Sequence, residues 1–456
     1  MRRVPWSILL LAVAVRWLVA ARTEVPGRDG AVYLWMAQQV AHGEPTALFQ
    51  TVFHPLYGAL VGAVLWLLPA LEPECAGQLV AGGLGALAVL PLYGAARRLF
   101  GARAAAVTAL AYATGAWFAR HPAECMSEGP FYLCAATWAW ALARARVRPV
   151  AAGTVAGLGF LLRPEGASML GFGVLVLLRR RRRRDALLLA AVALPLMALL
   201  PLGFQVFGAG ATLTPKAAFN YEVGIGHSAE PWLHYLREAA FLPLAAAEQL
   251  GWLWLPLVLA GLWRRLRRRR PGADPATVLW LPMLLQCAVA PLLFSHWRFL
   301  SGYGLLMLPF AGAATVALWR WLGARHRALP WLLLAVLALA EGRVFGARNR
   351  GRGIERDLGR HLGAQLAPGE FVVSDMPRLD FYAGQQPPPP RPILPAWVLE
   401  RAADPACRFV VLVAGRTDVE DSDLRRLGLE PRTPPPLLSA AAEHRGIRLF
   451  ARVRTR

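Results

Sequence analysis

The residues able to do chemistry in this sequence sit in short polar stretches between long apolar ones. Asp29 stands in Gly27-Arg28-Asp29-Gly30, where two glycines flanking an acid signal a turn. From Ala31 the chain reads as a helix to Val40, ended by His42-Gly43. Val32, Trp35, Met36, Gln39 and Val40 lie near one face of it and Tyr33 on another, which predicts a short helix lying along a membrane surface. Asp29 then reads locally as an N-cap, its carboxylate accepting first-turn amide hydrogens. An ionised carboxylate in such a place can also take a proton from a hydroxyl. Glu128 in HPAECMSEGPFYL reads locally as a helix-start acid favoured by the dipole. Arg163-Pro164-Glu165 reads as a turn carrying an Arg–Glu pair. Lys216, Asn220 and Tyr221 in TLTPKAAFNYEVG, and His296 and Arg298 in SHWRF, add groups suited to an anion such as a lipid phosphate, or to plain headgroup contact.

The elements that must position these residues are membrane spans. Of 456 residues, 56% are apolar and 17% charged, and the mean hydropathy is +0.40. Long runs of Leu, Ala and Val place the chain among polytopic membrane proteins. The formal charge of +22 does not point to nucleic acid. The basic residues cluster as Arg179–Arg184 and Arg264–Arg270 directly beside apolar segments, the positive-inside pattern. Five cysteines (Cys75, Cys125, Cys134, Cys287, Cys407) lack metal-ligand spacing, and at most one pair is expected to be bridged. The N-terminal apolar segment is read as a retained first span rather than a cleaved signal.

Spans are expected at about 4–21, 77–96, 104–119, 130–143, 150–163, 167–178, 186–207, 241–263, 277–294, 301–321 and 329–344. Segment 55–71 is also long and apolar, but parity decides against a crossing. Arg2 and Arg3 put the N-terminus inside, and Arg97–Arg103 must also be inside, so one of 55–71 and 77–96 is interfacial or re-entrant. Choosing 55–71, opened by His54-Pro55 and closed by Pro69 and Pro73, places every later basic run inside. About eleven spans result, in an inner (plasma) membrane. Arg22–His54, Arg120–Gly129, Arg163–Gly166, Gly208–Ala240, Ser295–Phe299 and everything after about 345 then lie outside. Polar groups gathered on one face suit an enzyme at the outer leaflet. A transporter would more often carry ionisable residues at mid-membrane.

After residue 345 the composition changes. GIERDLGRHLGAQL reads as a soluble helix, EFVVSD and CRFVVLVAG as buried strands of parallel type, and GIRLFARV as one more strand. QQPPPPRPILP is a stiff connector. Residues 345–456 are therefore expected to form a small α/β domain outside the membrane, following a transmembrane domain over 1–344. No internal repeat is evident.

GRDGAVYLWMAQQVAHGE, HPLYG, RRLFGARAA, MSEGPFYL, AGLGFLLRPEG and HWRFLSGYGLLMLPF, in this order, resemble the GT-C glycosyltransferases over roughly residues 1–320. The nearest group is the protein O-mannosyltransferase-like one, which includes the bacterial aminoarabinose transferases acting on lipid A. The resemblance implies an all-α polytopic membrane domain of GT-C type with the α/β domain after it. It implies an Asp in the first outer loop as catalytic base, here Asp29, and a polyprenyl-phosphate-linked sugar as donor. Glu128 matches a second-loop acid, and His54-Pro55 a His/Lys-Pro-Pro stretch with one proline missing. The family often has a second acid directly after the first, where this chain has Gly30.

The residues alone carry the same chemistry. Transfer of a sugar from a lipid phosphate needs a base for the acceptor hydroxyl and cations for the departing phosphate. Asp29 and Glu128 are the expected catalytic acids. Arg163, Lys216 and Arg298 are expected to hold donor phosphate, and Arg28, Tyr33, His54, Glu165 and His296 to contact substrate. Asp29 has no neighbouring carboxylate in sequence to act as nucleophile, which favours inversion. No Asp-x-Asp motif supports a divalent metal, so a metal requirement is open. The expected partners are the polyprenyl-phosphate-sugar donor, a lipid, glycan or protein acceptor, and membrane lipids, with no nucleic acid. The alternatives are a lipid-linked sugar flippase or other transporter, and a non-catalytic assembly factor.

Overall fold

The computed structural model describes residues 4–144, 146–208, 215, 216, 218, 221, 230–268, 274–293, 297–346, 349–387 and 395–452. Asn220 and His296 lie outside the described residues, as does the side chain of Arg298. The helical part runs α1 (Val4–Ala20), α2 (Arg28–Ala41), α3 (Pro55–Leu67), α4 (Pro73–Leu87), α5 (Val89–Phe100), α6 (Ala102–Thr114), α7 (Ala116–Ala123), α8 (Glu128–Leu142), α9 (Pro149–Leu162), α10 (Gly166–Arg179) and α11 (Arg183–Phe207). It continues with α12 (Pro231–Leu250), α13 (Trp254–Arg268), α14 (Thr277–Leu293), α15 (Trp297–Gly323) and α16 (Leu329–Glu341). Proline opens α3, α4, α9 and α12, where its missing N–H is one that a helix leaves unbonded anyway.

Among the described residues three stretches are long and apolar enough to cross a bilayer: Pro73–Phe100, Arg183–Phe207 and Leu300–Gly323. Leu187, Trp331 and Leu339 are among the large apolar side chains left exposed on the helical part, a surface suited to lipid. Two expected spans are broken. Segment 104–119 divides at Gly115 into α6 and α7. Segment 241–263 divides at Gly251 into α12 and α13, which meet at 105°. Gly251 has φ +92°, a left-handed conformation that only glycine adopts without cost, so the chain turns there rather than running straight.

The helix of the first polar stretch differs from expectation in two ways. It begins at Arg28, its N-cap is Gly27, and no side chain caps it; Asp29 sits inside the first turn. The N-cap reading of Asp29 is thus corrected: Gly27 in extended backbone takes that place, and the Gly27 N–H is satisfied by the Glu124 carbonyl at 2.9 Å. Nor is α2 a surface helix. Gly30 to Ala37 are all buried, because α3, α4 and the C-terminal region close around it. A Cβ at Gly30 would stand 2.3 Å from the Glu124 carbonyl oxygen, which is why the residue after Asp29 bears no side chain.

The C-terminal part comprises α17 (Gly353–Gly363), β1 (Phe371–Ser374), α18 (Pro377–Tyr382), α19 (Pro395–Ala403), β2 (Cys407–Val413), α20 (Asp421–Arg426), β3 (Leu429–Arg432), α21 (Pro436–His444) and β4 (Ile447–Arg452). Its sheet has the order β1-β2-β4-β3. β1 and β2 are parallel, as their unbroken apolar runs predict, whereas β4 is antiparallel to both β2 and β3. β3 was not expected, since Leu-Glu-Pro-Arg has no strand periodicity. Phe409 and Val411 of β2 face one core, Val410 and Leu412 the other, so helices cover both faces. All five cysteines are free thiols.

This C-terminal part holds the backbone just before Asp29. Arg22 Nη1 donates to the Phe345 carbonyl at 2.8 Å. Asn349 Nδ2 donates to Val25 O at 2.8 Å, Arg356 Nη1 to Glu24 O at 3.1 Å, and Arg378 Nε to Pro26 O at 2.5 Å. Arg378 is buried and paired through Nη1 with Glu355 at 3.0 Å, and Glu355 also takes Arg445 at 3.2 Å. We expect Arg378→Ala to leave the Pro26 carbonyl to the longer Asn349 Nδ2 bond at 3.3 Å and Glu355 still paired with Arg445, at a cost of about 1.5–3 kcal/mol. Hydrogen exchange of residues 24–31 should then accelerate in a folded chain. Unchanged protection there would show that the contact holds nothing in place.

Candidate active site

Asp29 lies on the first turn of α2, where the positive end of the helix dipole favours an anion. Lys216 Nζ is 3.8 Å from Asp29 Oδ2, and both side chains keep a little exposure to solvent, at 16% and 19%. The same ammonium sits 3.9 Å above the Phe53 ring. Two of the sequence-predicted residues, 187 positions apart, thus meet as a carboxylate–ammonium pair that keeps contact with solvent. Tyr33 follows Asp29 by one helical turn and donates to Ser127 Oγ at 3.2 Å. Burial raises its phenol pKa, so it remains a protonated donor. Phe53 and Tyr57 pack edge-on against its ring at 5.1 and 5.0 Å.

Glu128 opens α8 and is completely buried. Arg163, the last residue before the α9–α10 turn, reaches it with Nη1 at 2.5 Å. The same guanidinium grips Glu165 through Nη2 at 2.7 Å and Nε at 3.3 Å. The Arg163-Pro164-Glu165 stretch therefore does contain an Arg–Glu pair, and Glu128 completes a triad with one negative charge in excess. Tyr303 of α15 donates to the Glu165 carbonyl at 2.6 Å, and Ser168 bonds the same carbonyl at 2.8 Å. With all its edges directed at carboxylates, Arg163 serves the arrangement of acids more directly than it serves a phosphate.

His54 is the N-cap residue of α3 and is 1% exposed. Its Nδ1 lies 2.5 Å from the Phe160 carbonyl. A carbonyl only accepts, so Nδ1 carries the proton and Nε2 presents a lone pair. Nε2 is buried and meets no partner among the described residues. Burial pushes the imidazole pKa down to about 4, so it stays neutral at physiological pH. Arg28 is exposed at the start of α2, next to the C-terminal region. Sequence reasoning missed Ser127, Ser168 and Tyr303. Ser127 adjoins Glu128 and could have been found there; Tyr303 reaches Glu165 across 138 residues and carries no local signal.

Among the described residues no three or more His, Cys, Asp or Glu side chains group closely enough to hold a metal ion. Glu128 and Glu165 are committed to Arg163, and Asp29 faces Lys216.

Residues 53–203 match the family model of dolichyl-phosphate-mannose-protein mannosyltransferase. That stretch contains His54, Glu128, Arg163 and Glu165; Asp29 and Lys216 lie outside it. The fold is similar to that of ArnT from Cupriavidus metallidurans bound to undecaprenyl phosphate, at 15% identity and a TM-score of 0.63, over 98% of this chain and 98% of that one. It is also similar to the Archaeoglobus fulgidus oligosaccharyltransferase AglB in complex with an inhibitory peptide and a dolichol-phosphate, at 14% identity and a TM-score of 0.60, over 99% and 74% of the two chains. The same oligosaccharyltransferase in complex with Zn and sulfate matches at 15% identity and a TM-score of 0.62, over 94% and 72%. At these identities the likeness is one of fold, and the fold is GT-C. No curated protein sequence matches the chain significantly.

Two outcomes follow from the buried groups. Arg163→Met should remove the cation that two buried carboxylates share and destabilise the chain by about 3–5 kcal/mol; a melting midpoint equal to the wild type's would mean that the triad carries no structural weight. For His54, the unfolded imidazole takes a proton below about pH 6.5 and the folded one only near 4. Stability present above pH 6.5 is thus lost as pH falls towards 4, on the order of 3 kcal/mol. The midpoint of His54→Gln should fall less steeply over this window. Equal slopes would remove His54 from the acid response.

Proposed function

We propose that this chain is a polyprenyl-phosphate-sugar-dependent glycosyltransferase working at the outer face of its membrane. The observation that carries the reading is the Asp29–Lys216 pair: a solvent-accessible carboxylate with a cation beside it, on the fold shared with ArnT and AglB. The structures of those two proteins hold undecaprenyl phosphate and dolichol-phosphate, and the matching family model is that of a dolichyl-phosphate-mannose-dependent enzyme. In our reading the spans number about eleven, with the N-terminus inside. The loops bearing Asp29, Glu128, Glu165 and Lys216, and the domain from 345 on, are extracytoplasmic.

The proposed reaction is a single displacement. Asp29 takes the proton of an acceptor hydroxyl, whose oxygen forms the new bond to the anomeric carbon. The bond from that carbon to the phosphate oxygen breaks on the opposite side, and polyprenyl phosphate departs with the electron pair. Lys216 compensates the growing charge on that phosphate, with Arg298 as a second candidate. Glu128, Arg163 and Glu165 hold the site's shape, and Tyr33 and His54 offer a donor and an acceptor to the sugar. One base and no nucleophile imply inversion at the anomeric carbon. The acceptor is a lipid, glycan or protein hydroxyl.

Replacing Asp29 by Asn tests the assignment. The change removes a first-turn anion from a helix whose cap is Gly27, so stability should move by only about 0.3–1 kcal/mol. Transfer should fall about 10²–10⁴-fold, since Asn takes no proton. Lys216→Ala should weaken donor binding while leaving acceptor affinity alone. Transfer by Asp29→Asn at the wild-type rate would end the reading of Asp29 as base.

A further inference from the structure

A cavity of about 360 Å³ opens between the α5–α6 turn, the end of α13 and the last turns of α15. It lies at the opposite end of the helices from Asp29. Glu74, at the start of the Pro73–Phe100 stretch, accepts a hydrogen bond from Tyr382 of the C-terminal part at 2.6 Å. Phe100, about 40 Å further along that stretch, lines the cavity. Likewise Tyr303 near the start of α15 bonds the Glu165 carbonyl, and Arg320 near its end lines the cavity. Three helices close on one another here. A Cβ at Gly261 of α13 would stand 2.1 Å from the Phe310 carbonyl oxygen, and one at Gly312 of α15 2.5 Å from that of Ala104. This approach gathers arginines from three separate basic runs round one space: Arg103 of α6, Arg264, Arg265 and Arg268 of α13, and Arg320 of α15.

Arg265 is already engaged. Its Nε and Nη2 both donate to Asp274 at 2.6 Å, and its Nη1 to the Leu99 carbonyl at 3.3 Å. The other four are exposed, the lining contains no acid, and no carboxylate among the described residues pairs with them. No side chain caps α6, and its first residues, Ala102 to Ala104, border the same cavity, so the positive end of that helix adds to the field. Four unpaired guanidiniums select an anion. A guanidinium grips phosphate through two parallel N–H bonds, so four of them suit two phosphate groups better than one. The volume is in the range of small-molecule sites, with more room than a single phosphate fills.

The flanks say where such an anion comes from. Trp263 and Leu259 of α13 and Trp321 of α15 are 59%, 56% and 52% exposed. The Arg267 guanidinium lies 4.4 Å over the Trp263 ring and that of Arg325 3.4 Å over the Trp321 ring. Exposed indoles beside cations belong at the headgroup level of a bilayer. Leu259 extends the exposed apolar surface one turn deeper, where acyl chains lie. An anion in this cavity therefore sits at the depth of lipid phosphates, next to apolar surface for its chains.

We propose that this cavity is a specific site for an anionic phospholipid carrying two phosphate groups, held by Arg103, Arg264, Arg268 and Arg320. Basic pockets between membrane helices recognise such headgroups. The bound lipid neutralises like charges that repel one another and so ties α6, α13 and α15 together at the membrane face opposite Asp29. The inference goes beyond the transfer reading and does not rest on it, since a chain that transferred nothing would still bind the lipid.

Native mass spectrometry and thermal melting of the full chain, in a detergent with an uncharged headgroup, test this with cardiolipin, phosphatidylglycerol and inorganic pyrophosphate as probes. Cardiolipin should stay bound and raise the melting midpoint, with an affinity at least about 10-fold above that for phosphatidylglycerol, and pyrophosphate should do neither. The pair Arg264→Gln and Arg268→Gln should weaken cardiolipin binding about 10-fold. The pair Arg183→Gln and Arg184→Gln, in an exposed basic run outside the cavity, should bind as the wild type does. Arg103→Gln, on a different helix, should also weaken binding and serves if the first pair does not fold. Four results would each overturn the proposal: no bound cardiolipin, equal affinity for phosphatidylglycerol, equal loss in both arginine pairs, or equal stabilisation by pyrophosphate. The third would mean a generally basic surface, and the fourth a soluble anion.

Discussion

The arrangement of the site depends on one buried cation, Arg163. A guanidinium placed among apolar helices is tolerated only when its donors meet acceptors of opposite charge. Here Glu128 and Glu165 fill that need at 2.5 and 2.7 Å. The pair forces α8, α9 and α10 to meet at one point, because the three side chains come from the start of α8, the end of α9 and the turn into α10. The Glu165 carbonyl then recruits Tyr303, which ties in α15. The triad keeps a net negative charge, and the cation beside Asp29 comes from another element, as Lys216. The two acids held by the buried arginine are closed off from solvent, and Asp29 is the more exposed acid.

The second constraint is the hold of the C-terminal region on the loop before Asp29. Five hydrogen bonds to backbone carbonyls, one each from Arg22, Arg356 and Arg378 and two from Asn349, join residues 22–26 to residues 345–378. On the other side, the Gly27 N–H is fixed by Glu124. A side chain on a first helical turn is only as well placed as the chain entering that turn, and this chain is bonded on both sides. The C-terminal region is thus bonded to the loop that positions Asp29, in line with the fold match to ArnT extending over 98% of both chains.

Much of this was legible in the sequence where local physics decides. Prolines mark helix starts, and the apolar runs of 371–374 and 407–413 give a parallel pair because both faces of the sheet are covered. The polar stretches that hold Asp29, Glu128, Arg163 and Lys216 stood out against apolar surroundings. What stayed hidden depends on contacts far apart in the chain. The burial of α2 comes from helices and a domain that its own periodicity does not report, so Val32, Trp35 and Met36 read as a surface face. Gly27 replaces Asp29 as cap because Glu124, nearly a hundred residues on, supplies the hydrogen-bond acceptor. The bend at Gly251 looked like one continuous apolar run, since a single glycine scarcely alters mean hydropathy. Arg378 and Tyr303 carry no local signal at all, and their roles follow only from the carbonyls they reach.

The most direct measurement is a transfer assay with the purified chain in lipid nanodiscs and a panel of polyprenyl-phosphate-linked sugars labelled in the sugar. The account predicts that at least one donor releases free polyprenyl phosphate in step with labelled, inverted product when a hydroxyl acceptor is supplied. Sugar-phosphate lipid that crosses the bilayer intact, with no cleavage of its glycosyl–phosphate bond, would contradict it and make the chain a transporter.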